Sequence, residues 1–432
     1  MRAEVIGIIG IVVLIILLFM RVWVGSAMAL VGFCGLLIMR GFTQTISVLG
    51  TVPFNELNNQ TMTAIPMFTL MGMIIAETSM GRDLYGTAYN FLGHARGGLA
   101  SATVVAGGIL GAICGSENVS TVILTKIAYP EMKRLGYDDA LSTSAISVGS
   151  PLAIIIPPSM PMILYAILTE NSVGSLFMGG VIPGILLILA FVLTISIMCR
   201  IKPEYGPRGP KTTMVQKLKS LKGVIPVIVL FVIVLGGIYF GICTTTEAGA
   251  LGALGALIIA LCSKQINRHN IKLILRETVS TIGMVIMMMV GIYVFVQFIA
   301  LSKVPFMLVN FVTGLNVNRY VILLAIVIMY IILGMLLPQL TIIILTVPII
   351  FPVIESLGFN AIWFGIVVVM LQALGGITPP VGMVAFMTSG ISKVPVPTVF
   401  KGLWPMLLAD VIVLLLVCFI PQLVTWLPSM MR

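Results

Sequence analysis

Long apolar runs separated by short polar breaks cover almost the whole chain: residues 5–20, 224–240, 248–262, 321–337 and 411–420 are nearly free of charge. With neutral flanks they approach the roughly 20 residues a bilayer-spanning helix needs. The apolar positions are continuous rather than alternating, which predicts helices and excludes the strands of a membrane β-barrel. The pattern predicts about ten full spans plus two hairpins.

In the first half, spans near 5–20, 24–38 and 63–80 lead to an amphipathic stretch, 83–96, suited to the inner membrane interface. An apolar segment, 98–135, is interrupted at Gly115-Ser116-Glu117-Asn118. A span over 140–169 is broken at Gly149-Ser150-Pro151 and Pro157-Pro158, and 177–199 closes the half. The second half repeats the order, with spans near 224–242, 246–263 and 279–301, a hairpin over 318–355 broken at Pro338-Gln339, and a last span over 404–426. Its broken span, 361–392, runs through Gly375-Gly376-Ile377-Thr378-Pro379-Pro380. The likeness extends to the letters: 129–183 recurs without a gap at 351–405, a shift of 222 residues that puts Pro157 and Pro158 on Pro379 and Pro380. Broken apolar repeats of this kind predict a transporter whose site lies between them.

Composition agrees, since 432 residues at 59% hydrophobic and 9% charged have too few polar groups to coat a soluble globule. The net charge of +10 is concentrated in two loops: Arg200, Lys202, Arg208, Lys211, Lys217, Lys219 and Lys222, then Lys264, Arg268, Lys272 and Arg276. Positive loops face the cytoplasm. Threading from them puts Arg21, Arg82, Arg96, Lys133, Arg134, Lys393 and Lys401 inside as well, and Arg2, Arg40, Lys303, Arg319 and Arg432 outside. Both termini then lie outside, the two halves have opposite orientations, and segment 98–135 enters and leaves on one side, as a re-entrant hairpin does. No aromatic-interleaved basic surface accompanies the linker, so nucleic acid is not an expected partner. The first run has a loose small-x-small site at Ala27 and Ala29, but Glu4 offsets Arg2, and it is read as a retained span rather than a signal peptide. The six cysteines lack paired C-x-x-C spacing and read as free thiols, and His94 and His269 form no cluster, so no transition-metal site is expected.

The candidate chemistry lies in the breaks. Proline has no N–H and disrupts the preceding turn, so Pro-Pro in mid-span leaves carbonyls unpaired. Inside a membrane such carbonyls are tolerated where protein lines a cavity, and there they coordinate cations. Thr378 adds a hydroxyl, and Gly149, Gly375 and Gly376 permit close backbone approach. Two breaks, each facing a hairpin tip, make two candidate sodium sites. Glu117 at the first tip and Lys126 in its second arm are intramembrane charges and so functional candidates. Nine residues apart on a helix, they fall on opposite faces. Lys126 would neutralise a substrate carboxylate and Glu117 serve an ion or proton site; the plain alternative is that both snorkel to water.

Several ordered motifs carry a family resemblance. Ile65-Pro66-Met67-Phe68, Gly93-His94-Ala95-Arg96-Gly97-Gly98, Pro130-Glu131-Met132-Lys133-Arg134-Leu135-Gly136, Ile156-Pro157-Pro158-Ser159, Thr245-Thr246-Glu247-Ala248 and Thr378-Pro379-Pro380-Val381-Gly382 resemble the large membrane subunit of tripartite ATP-independent periplasmic (TRAP) transporters, dicarboxylate-type permeases of the bacterial inner membrane. The resemblance implies an all-α polytopic membrane protein of the inverted-repeat elevator type (ion transporter superfamily), with two re-entrant helical hairpins and two discontinuous helices. It implies scaffold spans over 1–97 and 224–317, transport elements over 98–200 and 318–432, and a basic cytoplasmic linker over 201–223. It further implies a sodium-driven importer, with Na+ as coupling ion and no other cofactor. A small carboxylate substrate would arrive on a periplasmic solute-binding protein, and a separate small four-helix membrane subunit would brace the scaffold in the lipid bilayer. Carried across residue by residue, one sodium site matches Ser116, Asn118, Ala153 and Ile156, and the other Gly334, Gly375, Thr378 and Val381. Substrate contacts are expected from Glu117, Lys126, Ser150, Ser159 and Gln339. The chain departs from the family at both tips, where Cys114-Gly115-Ser116-Glu117 replaces Ser-Gly-Ser-Ser and Pro338-Gln339 replaces Asp-Ser, and at Gly149-Ser150-Pro151-Leu152-Ala153.

The chain has no G-x-x-x-x-G-K-[ST] phosphate loop, which speaks against ATP drive. A self-sufficient ion-coupled carrier or antiporter of related fold is the alternative within transport. A membrane enzyme or respiratory proton channel would need relays of His or carboxylates, for which Glu117 and Glu247 are too few.

Overall fold

A computed structural model describes every residue except Met1, Arg21, Pro210, Lys211, Asn316 and Arg432, and every side chain except theirs and those of Glu56 and Ile113. Arg21, Lys211 and Arg432, used above to assign sidedness, therefore lie outside the described residues. All regular structure among the described residues is helical. The first half comprises α1 (Ala3–Phe19), α2 (Val24–Arg40), α3 (Phe42–Leu57), a 3-10 turn (Gln60–Thr63), α4 (Ala64–Ala76), α5 (Met80–Leu92), α6 (Gly98–Cys114), α7 (Glu117–Arg134), α8 (Asp139–Gly149), α9 (Leu152–Ile155), α10 (Met160–Leu168) and α11 (Val173–Ile201). The second comprises α12 (Met214–Tyr239), α13 (Thr245–Cys262), α14 (Arg268–Ser302), α15 (Val304–Gly314), α16 (Arg319–Leu336), α17 (Gln339–Ser356), α18 (Ala361–Ile377), α19 (Met383–Ser392), α20 (Val396–Phe419) and α21 (Gln422–Ser429).

The shift of 222 residues holds far beyond the segment where letters repeat. It carries α2 onto α13, α5 onto α15, α6 and α7 onto α16 and α17, α10 onto α19 and α11 onto α20. Local chemistry explains both the matches and the two differences. Asp138 accepts from the amides of Ala140 and Leu141 to cap α8, and its counterpart Asn360 accepts from that of Trp363 to cap α18. Pro151 withholds an N–H and separates α8 from α9, whereas α18 has no proline and runs unbroken over the equivalent stretch. Likewise α3, the 3-10 turn and α4 are fused in the second half into the 35-residue α14.

Several expected boundaries move. Glu117 and Asn118 belong to α7, so the first tip is only Gly115-Ser116. The third span ends at Ala76 and bends by 65° into the amphipathic helix, which starts at Met80. Residues 214–223 of the linker are the first turns of α12, and α3 and α15 occupy stretches assigned to no span. Eight helices among the described residues are long and apolar enough to cross a bilayer, or nine if the bent pair counts as one span. The expected ten differs because α1, α2 and α18 have 17 residues each and α4 has 13, whereas the hairpin arms α16 and α17 qualify on their own.

Close helix packing recurs in two places. α2 crosses α14, and a methyl added at Gly291 would stand 2.1 Å from the Gly25 carbonyl oxygen; α4 lies along α13 with Met67 and Met71 over Gly249 and Gly252. Small residues at such crossings let backbones approach where lipid gives no hydrophobic drive. In the second place α6–α10 and α16–α20 pack around α8 and α18, whose residues 140–149 and 363–377 are all buried. Outward faces are apolar, as Ile185, Leu189, Leu193 and Ile197 of α11 show at helical spacing.

Candidate functional site

The site is built where helices stop. α9 ends at Ile156 because Pro157 and Pro158 follow, and the Ser159 hydroxyl donates to the Ile154 carbonyl at 2.6 Å while accepting from the Met162 amide at the start of α10. α18 ends at Thr378, whose hydroxyl donates to the Leu374 carbonyl at 2.5 Å before Pro379 and Pro380. Both Pro-Pro bonds are cis. In each break one hydroxyl satisfies one carbonyl; the Ser159 hydroxyl also accepts from the Met162 amide, whereas the Thr378 hydroxyl has no such acceptor role among the described residues. The last carbonyls of a helix carry partial negative charge, so the ends of α9 and α18 favour a cation.

A hairpin closes on each break. Gly115, in the left-handed region at φ 58°, forms the first tip; a methyl on it would lie 3.1 Å from the Pro158 carbonyl oxygen. Behind that tip a methyl on Gly111 would stand 2.4 Å from the Ala153 Cα, so α6 touches α9 backbone to backbone. The second half repeats the contact one position away: a methyl on Gly375 would stand 2.5 Å from the Gly334 Cα. The two tips also meet each other. Gln339 Nε2 donates to Glu117 Oε2, and these residues are exact counterparts under the 222-residue shift. Their side chains overlie the second break, 3.7 and 3.9 Å from where a methyl on Gly376 would sit.

The expected residues thus fall into clear places. Ser116, Ala153, Ile156, Ser150 and Ser159 surround the first break, with Ala153, Ser150 and Ser159 fully buried. Ser150 donates to the Ile146 carbonyl, closing the end of α8. Gly334, Gly375 and Thr378 gather at the second, and Glu117 with Gln339 lies between the tips. Three side chains do not join. Asn118 is exposed, Val381 is 37% exposed, and Lys126 is exposed on the far face of α7, since nine residues turn a helix by half a revolution. The reading in which both charges snorkel fails for Glu117, which is buried at 7% exposure.

Two buried polar residues escaped the sequence reading. Gln372, fully buried in α18, has neither its amide nitrogen nor its oxygen hydrogen-bonded among the described residues. The repeat offered a signal, because 222 residues separate it from Ser150. Asp410, 3% exposed in α20, has an Oδ1 without a partner, and its signal was a lone carboxylate inside the last apolar run. Glu247 is no relay: its carboxylate accepts from the Thr244 amide and hydroxyl, capping α13. Among the described residues no group of three His, Cys, Asp or Glu is placed to hold a metal ion.

Residues 11–423 match the family model described as "Tripartite ATP-independent periplasmic transporter, DctM component". The chain is 33% identical to the C4-dicarboxylate TRAP transporter large permease protein DctM of Pseudomonas aeruginosa, over 87% of this chain and 88% of that one. It is 29% identical to the sialic acid TRAP transporter large permease protein SiaM of Vibrio cholerae, over 87% of each. Among solved structures it resembles the YdaH transporter of Alcanivorax borkumensis, at TM-score 0.66 and 12% identity over 88% of this chain and 90% of that one. It also resembles MtrF of Neisseria gonorrhoeae, at TM-score 0.57 and 12% identity over 97% and 95%. At such identity these two structures bear on the fold alone.

Proposed function

The chain belongs to the DctM-component family of TRAP transporters, a large permease subunit of the inner membrane rather than an enzyme, and from that premise we propose that it is the translocation subunit of a sodium-coupled importer of carboxylate-bearing solutes. The observation that carries this reading is the pair of helix breaks, each bringing helix-terminal carbonyls and one hydroxyl together and each closed by a hairpin tip. Such all-oxygen surroundings suit a hard cation such as Na+. Ser116, Ala153 and Ile156 would serve the first ion, and Gly334, Gly375 and Thr378 the second, with Asn118 and Val381 contributing through backbone atoms.

The proposed movement is of the elevator type, and the packing supports it. α1, α2, α4 and α12–α14 act as the scaffold, and the hairpins with the broken helices act as the moving body. The seam between them, lined by Ile65, Val285 and Met289 on one side and Met160, Leu164 and Ile344 on the other, is apolar and so suited to sliding. Dicarboxylates and sugar acids are the proposed solutes, in line with the names of the relatives. A periplasmic solute-binding protein and a small four-helix membrane subunit are the proposed partners. A relative from Oleidesulfovibrio alaskensis, the isethionate TRAP transporter permease protein DctMQ, is 30% identical, and this chain spans 59% of its length.

A self-sufficient ion-coupled carrier or antiporter of related fold is the second reading. Uptake into vesicles containing this polypeptide alone separates the two. Negligible uptake until the small subunit and loaded binding protein are added supports the tripartite reading, and robust saturable uptake without them overturns it.

A further inference from the structure

We infer that Glu117 and Gln339 are positioning residues that tie the two hairpin tips into one unit, so that occupation of one cation site promotes occupation of the other. This rests on the sodium reading above and adds a coupling that the reading does not require.

The chain of contacts is continuous. The Pro158 carbonyl of the first break lies 3.1 Å from where a methyl on Gly115 would sit; Glu117 follows two residues later; its carboxylate accepts from Gln339; and both side chains lie over Gly376, two residues before Thr378 in the second break. Glu117 and Gln339 are the first residues of α7 and α17, so a shift of either tip moves its side chain directly. A buried carboxylate separated from the Gln339 amide would be left desolvated and poorly paired, which penalises displacing one tip without the other. A cation that orders its tip bears the entropic cost of fixing that segment, and a tip already fixed through its partner leaves less to be borne by the second ion. Such coupling is reciprocal by thermodynamic necessity.

The two ion pairs found among the described residues, Lys133–Asp139 and Arg134–Glu131, both lie at the far end of the first hairpin. Gln339, rather than a cation, is the side chain that holds Glu117. Because the two positions are counterparts in the repeat, the same link can be drawn with the residues exchanged.

The test is thermal unfolding of the full chain in lipid nanodiscs titrated with NaCl, with choline chloride holding ionic strength constant. For the wild type the sodium dependence of the midpoint should fit a Hill coefficient clearly above 1 and approaching about 2 for two linked sites. Gln339→Leu should keep a sodium response but bring the coefficient to about 1, and exchanging the pair as Glu117→Gln with Gln339→Glu should restore it. A purely structural role would lower the sodium-free midpoint in Gln339→Leu and leave the coefficient unchanged, which overturns the inference. So does failure of the exchanged pair to restore co-operativity. Should Gln339→Leu not fold, Gln339→Asn, one methylene too short to reach, takes its place with the same expectation. A wild type with no sodium response at all overturns the sodium reading itself and the coupling with it.

Discussion

At Thr378 a single oxygen carries a large share of the proposed chemistry. Its hydroxyl proton is spent on the Leu374 carbonyl, which leaves the lone pairs pointing away from that bond. Thr378→Val keeps the shape and removes the oxygen. Losing one such group costs about 1–3 kcal/mol at a buried polar site, and Thr378 is half-buried, so the half-saturating sodium concentration for uptake should rise at least roughly fivefold. Ile156→Val, at the counterpart position with no hydroxyl to lose, should change it little. An unchanged value in Thr378→Val would mean that the oxygen is not a ligand. Lys126, exposed on the outer face of α7, makes the opposite case: Lys126→Gln should leave uptake within about twofold of wild type, consistent with a solvated surface charge. A severe loss there would return Lys126 to the substrate site. Sequence alone picked out Thr378 because Pro-Pro beside a hydroxyl is a local signature. It missed Gln372 and Asp410 because one polar letter in an apolar run reads the same in lipid, in water or in a packed core, and burial is decided by helices far away in sequence.

Between elements, close approach is the controlling quantity. α16 and α18 meet at Gly334 and Gly375, and a methyl on Gly375 would be driven to 2.5 Å from backbone that cannot swing aside. Overpacking of this kind typically costs about 1–3 kcal/mol. Gly375→Ala should therefore lower the unfolding midpoint and impair uptake even in variants that reach the membrane. Gly50→Ala is the contrasting case: it lies within α3 with nothing inside 4 Å of an added methyl, so it should be neutral or stabilising by up to about 1 kcal/mol. Equal effects of the two substitutions would show that contact at the α16–α18 crossing does not matter. Caps and prolines made these elements readable, since Asp138, Asn360 and the Pro-Pro pairs act within one turn of where they stand. α3 and α15 were not readable: they lie between spans, and docking holds them, as α3 does on α14 and α15 on α17. The first turns of α12 did carry a local signal that was missed, the capping box of Thr213 and Gln216.

For the whole molecule the 222-residue shift is the organising fact. It maps helix on helix, hairpin on hairpin and break on break, although letters repeat recognisably only over 129–183 and 351–405. Helix length and order survive drift that erases side-chain identity, because packing constrains volume and polarity more than it constrains the particular residue. The two halves thus present two breaks of similar construction, which is what a transporter with two ion sites between repeats requires. The most direct test is uptake by vesicles holding this chain with its small partner subunit, supplied outside with solute-loaded binding protein, under an imposed sodium gradient and, separately, an imposed proton gradient of equal driving force. Sodium alone should drive accumulation, and the proton gradient should add nothing. Equal uptake without sodium would contradict the account and turn attention to Glu117 as a proton carrier.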